Sequence, residues 1–273
     1  MKKLALTLTA LLGFATIWGQ NTPKADTTTF PIGEGTEIIV INKNIEKSDS
    51  LNIDDIDDDD DHDTNFAFWD GLDLGVNFLV TSNNDTKYAT NDEWIELDPA
   101  RSLSWRLNLI ESRIPIAKQY VGLVTGLGVS WNSYTFNKNI SLVNTTDSIF
   151  GVIDSIPEYS KNKIRASYLQ VPLLLEFNTS SEKDRAFHLA AGVLGGLRIG
   201  TVYKQEYDLD GQEVSVKVRD DWNMSPLTLD ATVRIGYRNL TLWATYGLTP
   251  FFKNDKGPEV YPVSIGLSII PFG

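Results

Sequence analysis

The run Leu227-Thr228-Leu229-Asp230-Ala231-Thr232-Val233-Arg234-Ile235-Gly236-Tyr237 is joined by Arg238-Asn239 to Leu240-Thr241-Leu242-Trp243-Ala244-Thr245-Tyr246-Gly247-Leu248. Both arms alternate apolar and polar residues with a period of two, the signature of strands with one apolar face. The polar face is unusual. It carries threonines, glycines, a tryptophan and only Asp230 and Arg234 as charges. A face turned to water normally carries more lysine and glutamate.

The same alternation recurs over 72–80, 103–109, 121–131, 169–177, 187–199 and 261–269. With the quoted pair this makes eight strands, most near the ~9–11 residues that a tilted strand needs to cross a bilayer. The connections sort by parity. Those at 115–119, 179–184 and 238–239 are short. Those at 82–100, 139–161 and 205–225 are long and polar, and 251–259 is intermediate. An even count with short turns on one side and long loops on the other is the arrangement of an outer-membrane barrel. The fold expected over 66–273 is therefore all-β: an eight-stranded antiparallel up-and-down transmembrane barrel.

In such a barrel the apolar face meets lipid and the polar face lines the lumen. Six charged residues of the polar face nearly balance: Asp73, Glu176 and Asp230 against Arg106, Arg198 and Arg234. They are expected to form one buried ion-pair network in a lumen too narrow for a wide aqueous pore. Two girdles of interfacial aromatics are expected on the outer wall. Trp69, Tyr120, Phe187 and Tyr237 stand near the short-turn ends, and Trp131, Tyr203, Phe251 and Tyr261 near the long-loop ends. Pro172 falls inside a strand and cannot donate to the ladder, so a bulge or a missing bond is expected there.

The chain of 273 residues carries a formal net charge of −12. Residues 21–65 hold thirteen acids and three bases, whereas 66–273 hold 23 acids and 19 bases. The acidity therefore belongs mostly to an N-terminal tail. Lys2 and Lys3 before an apolar run at 4–18 read as an export signal over 1–20, with cleavage near Gly19-Gln20. The segment 21–65 is expected to be a mostly disordered periplasmic tail, with one short strand at 36–42. Its run Asp54-Asp55-Ile56-Asp57-Asp58-Asp59-Asp60-Asp61-His62-Asp63 lacks the spacing of a calcium loop and reads as a solvated linker.

The acidic balance excludes a nucleic acid as main partner, because neutralising phosphates needs a basic face. The absence of cysteine excludes disulfides and thiolate chemistry. His188 falls on the lumen face without a nucleophile elbow, and no metal-ligand spacing of histidines occurs. No catalytic, cofactor-binding or metal site is expected, and the chain is read as non-enzymatic. Its role is expected to be structural, interactive or in assembly, through extracellular loops around a filled lumen. The alternatives are a small-molecule binding or transport barrel, a secreted lipocalin-like protein and an outer-membrane enzyme. Expected partners are outer-membrane lipid, the barrel-assembly machinery, and a protein meeting the loops or the acidic tail.

The run Tyr168-Leu169-Gln170-Val171-Pro172-Leu173-Leu174-Leu175-Glu176-Phe177 resembles the Tyr-Leu-x-Val/Ile-Pro-Leu-Leu strand of the PorT-like outer-membrane β-barrel family, common in Bacteroidota. Pro262-Val263-Ser264-Ile265-Gly266-Leu267-Ser268-Ile269-Ile270-Pro271-Phe272 resembles that family's closing strand. The resemblance covers 66–273 and implies an eight-stranded barrel in a Gram-negative outer membrane. One departure is the C-terminal Gly273, which leaves recognition by the assembly machinery to Phe272.

Overall fold

The structure, a computed structural model, describes residues 27–31, 37–41, 68–180 and 185–269. The chain divides into two units, Met1–Asp60 and Asp61–Gly273. In the first, β1 (Thr27–Pro31) pairs antiparallel with β2 (Glu37–Ile41). The strand expected at 36–42 is β2; its partner was not anticipated. The export run, the aspartate run and Phe272 lie outside the described residues.

In the second unit the eight expected strands are β3 (Gly71–Thr81), β4 (Leu103–Ala117), β5 (Val121–Thr135), β8 (Tyr159–Asn178), β9 (Phe187–Leu209), β11 (Leu227–Tyr237), β12 (Leu240–Gly247) and β13 (Val260–Ile269). They pair antiparallel in the order β9-β11-β12-β13-β3-β4-β5-β8, and β8 pairs with β9 to close the ring. Closure leaves no strand of the ring with an unpaired edge, which an apolar solvent requires. The β11–β12 turn is the two residues Arg238-Asn239, with Arg238 in the left-handed region at φ 57° that such hairpins demand.

The side chains are sorted inside out. Leu107, Ile110, Leu173, Ile235 and Leu242 are exposed on the outer wall, whereas Asp73, Arg106 and Arg234 are at most 3% exposed. Burying three charges while presenting a continuous apolar wall is stable only where the solvent outside is itself apolar.

Of four register shifts in the ring, the two that fall away from the strand ends reset this alternation. Leu109 is skipped in the β4–β5 register and Ile199 in the β8–β9 register. Each inserts one residue and swaps the faces beyond it. At Pro172 the β8–β9 register runs on without a bulge. On the other side, pairing with β5 lapses at Gly126 and Leu127, opposite Pro172 and Val171, and resumes at Gly128 in the same register. A proline with no N–H to give accounts for that lapse.

The long loops are more ordered than their polarity suggested. They carry a 3₁₀ helix at Thr90–Ile95, a hairpin of β6 (Ile140–Asn144) and β7 (Ile149–Ile153), and β10 (Gln212–Arg219), which pairs only with β9.

Candidate functional site in the lumen

The lumen is filled in three layers. At the short-turn end the chain enters β3 through Phe68 and Trp69, which are 2% and 1% exposed. Phe68 stacks on His188 with centroids 3.7 Å apart and planes 12° apart. His188 Nε2 lies 2.8 Å from Thr241 Oγ1. Glu111 Oε2 accepts the backbone N–H groups of Trp69 at 2.8 Å and Asp70 at 2.9 Å, pinning the entry segment across the mouth. Beside it Arg113 Nε donates to Glu176 Oε1 at 3.1 Å, and Asn178 Nδ2 donates to the same oxygen at 3.0 Å.

The middle layer is a charge cluster on Asp73. Arg234 donates twice, Nη1 to Oδ2 at 2.8 Å and Nη2 to Oδ1 at 3.1 Å, and Arg106 Nη1 donates to Oδ2 at 3.1 Å. Asp73 and Arg106 face each other in the β3–β4 register. Each guanidinium also lies over an indole: Arg106 is 4.7 Å from the Trp243 ring and Arg234 is 5.1 Å from the Trp69 ring. Bidentate hydrogen bonds and aromatic faces are the partners that a desolvated guanidinium uses best. Above the cluster, Arg106, Asp230, Gln170 and Tyr168 line a chamber of about 30 Å³, room for about one water molecule.

The third layer is an apolar cap at the long-loop end. Trp94, Ile95, Ile140, Ile149, Trp222 and Met224 descend from the loops onto Tyr134, Ile164 and Tyr203 of the strands. Phe251 and Phe252 join them, Phe251 meeting Tyr134 edge-on at 4.7 Å. Tyr203 packs edge-on against Trp222 at 5.0 Å and donates its hydroxyl to Ile140 O at 3.1 Å. Trp222 pays for its place with a left-handed backbone at φ 52°, rare for a bulky residue.

The cap is tied at its rim by Lys253, which donates to Asp221. That hydrogen bond, with a second from the Asn223 N–H, holds the Asp221 carboxyl below its ordinary value. The folded value is depressed, so the contribution is present above about pH 4 and fades as pH falls through the lowered value. Amide exchange over 220–225 is therefore expected to stay slow from neutral to mildly acidic pH and to speed up below about pH 4, beyond the intrinsic trend. In Asp221→Asn that extra acid step should vanish. Its persistence in the variant would assign the cap's acid response elsewhere.

Of the six expected network residues, Asp73, Arg106 and Arg234 come together. Glu176 instead pairs with Arg113, nearer the mouth. Arg198 leaves the network: it donates to Thr201 Oγ1 at 2.7 Å and to the carbonyls of Ser225 and Met224, bracing the loop before β11. Asp230 lines the small chamber but makes no ion pair among the described residues. Of the aromatics, Tyr120, Phe187, Tyr237 and Trp131 are exposed on the outer wall, and Tyr261 is half-buried. Trp69, Tyr203 and Phe251 are not on the outer wall. Trp69 turns in with the pinned entry segment, the Ile199 bulge turns Tyr203 in, and Phe251 lies past the end of β12 in the cap. Glu111, Arg113 and Trp243 are further lumen residues, beyond the six expected from the sequence.

A closed antiparallel ring with an apolar outer wall and buried, paired lumen charges defines an outer-membrane β-barrel. The family model for the outer membrane protein beta-barrel domain matches residues 64–253, well over half of the chain, and the chain belongs to that family. Its location is the outer membrane. Neither a curated protein nor a solved structure matches the chain.

Proposed function

We propose that this chain is an eight-stranded transmembrane barrel of the PorT-like kind found in Bacteroidota, without enzymatic activity. Its lumen is a plug, and it acts as a structural, interaction or assembly component through the cap of its long loops. The observation that carries the reading is Asp73 clamped between Arg106 and Arg234 in the mid-lumen, with aromatic layers above and below. A conduit needs an unpaired lining of one sign; here both central guanidiniums are tied to one carboxylate. Strand length supports the crossing. Eleven residues of β11, at about 3.4 Å each and tilted about 45°, cover about 26 Å, the height of the apolar band of such barrels. The long loops face outward from the cell, as in other barrels of this design.

The cap offers an interaction surface. β10 is exposed along most of its length, and among the described residues its second edge is unpaired, a ready template for an added strand. The partners proposed are outer-membrane lipid, the barrel-assembly machinery, and a protein that meets the loops or the acidic tail.

In planar bilayers the wild-type protein is expected to show no steady conductance above leak. Arg234→Ala should lose stability while conductance stays at background, because the cap and the Phe68–Trp69 layer still close both ends. A steady wild-type conductance would sink the plug and favour the transport barrel.

A further inference from the structure

Just above the apolar wall, at the long-loop end, the outer surface carries a groove of about 320 Å³. Its floor is Leu103, Trp105 and Trp131, and its upper edge is Arg101, Lys163 and Arg165. The registers explain the assembly. Trp105 lies directly opposite Trp131 across β4 and β5. One strand further on, Trp131 pairs with Ser167, Ser133 with Arg165 and Thr135 with Lys163. Three neighbouring strands therefore place two exposed indoles at the rim of the wall and two cations one and two outward positions above them. Trp105 and Trp131 are 48% and 40% exposed, so both rings are open to whatever lies against the groove.

The cations are short of counterions. Glu206 is taken by Lys161 and Lys204. Asp98 lies 3.9 Å from Arg101 Nε, while Arg101 Nη2 donates to Ser160 O at 2.7 Å. Among the described residues neither Lys163 nor Arg165 is in an ion pair.

We infer that this groove is a binding site for the phosphate-bearing headgroup of an anionic lipid in the leaflet that meets the long loops. The phosphate sits between Lys163 and Arg165, with Arg101 completing the edge. The acyl chains run down over Trp105, Trp131 and Leu103. Aromatic rings at headgroup level with basic residues above them match the two ends of such a lipid. The inference rests on the barrel spanning the membrane; which way it faces is a separate matter.

The test uses the full chain in nanodiscs that carry the same lipid on both faces, so its outcome does not depend on orientation. Tryptophan quenching by chain-brominated phosphatidylglycerol is compared with quenching by brominated phosphatidylcholine. The wild type should prefer the anionic lipid by about thirtyfold, the factor expected from two interfacial cations. Lys163→Gln with Arg165→Gln should bring the preference near unity, with Lys163→Gln alone between the two. Lys217→Gln, on the exposed β10, should leave it unchanged. Heat-modifiable gel mobility confirms that each variant is folded, and if the double variant is not, the single one decides. Equal quenching by the two lipids in the wild type, or an undiminished preference in the folded variants, overturns the site. Loss of the preference in excess inorganic phosphate overturns the lipid assignment in favour of a free-phosphate site. A protein that shows no heat-modifiable mobility in any form would fail the barrel reading itself, a different result from a folded barrel without lipid preference.

Discussion

Asp73→Ala is expected to lower the unfolding free energy by about 3–5 kcal/mol, the cost of leaving a buried charge without its partner. Two guanidinium groups lose their shared carboxylate together, and three hydrogen bonds vanish with it. The indoles of Trp243 and Trp69 remain but cannot replace an anion. Among the described residues no other acid is in an ion pair with Arg106 or Arg234: Asp230 lines the chamber beside Arg106 unpaired, and Glu176 is engaged by Arg113 and Asn178. Urea unfolding in vesicles, followed by loss of the folded band on unboiled gels, measures the change. A second variant separates charge from packing. Asp73→Ala with Arg234→Met removes one orphaned cation along with the carboxylate, so it should be less damaged than the sum of its single changes. An Asp73→Ala protein as stable as the wild type would show that the cluster does not hold the barrel together.

The eight strands were legible because a barrel wall must alternate without interruption, and alternation is what a sequence displays most plainly. The inversion of faces was legible for a related reason. Asp73, Arg106 and Arg234 stood on a face with too few charges for water and too evenly balanced for a pore. What escaped lies beyond the two bulges. A strict period of two carried past Leu109 places Arg113 on the lipid wall, and carried past Ile199 it places Tyr203 there. The inserted residues put both side chains inside. A single extra residue leaves no mark in composition, so its effect on every later side chain is invisible from the pattern alone.

The cap escaped for a different reason. Trp94, Ile140, Ile149, Trp222 and Met224 are spread singly through polar loops, with no period to unite them. They meet only because closing the ring brings the loops to one mouth. The inward turn of Trp69 escaped similarly. Nothing near it in sequence announces that Glu111, 42 residues on from Trp69, will take its N–H and fold the entry segment across the lumen.

Trp243→Ala should cost about 3–5 kcal/mol, as expected for emptying a fully buried tryptophan site. The indole is fitted from two sides. Gly75 and Gly266 face each other across β3 and β13, and a Cβ on either would come within 2.8 Å of the ring. At Gly266 it would also reach 2.0 Å from Leu74 O, so neither glycine position can fill the void from its own backbone. On its other side the ring carries the Arg106 guanidinium, which would then face a cavity. Conductance in planar bilayers is nevertheless expected to stay at background. The variant opens the middle layer, while Trp69 and Phe68 still block the short-turn mouth and Phe251, Trp222 and Met224 the other. Stability lost with conductance unchanged would mean that closure is redundant and that Trp243 serves to hold Arg106, and through it Asp73. A steady current through Trp243→Ala would instead make the indole the one barrier across the barrel and would leave the cap with a role other than sealing.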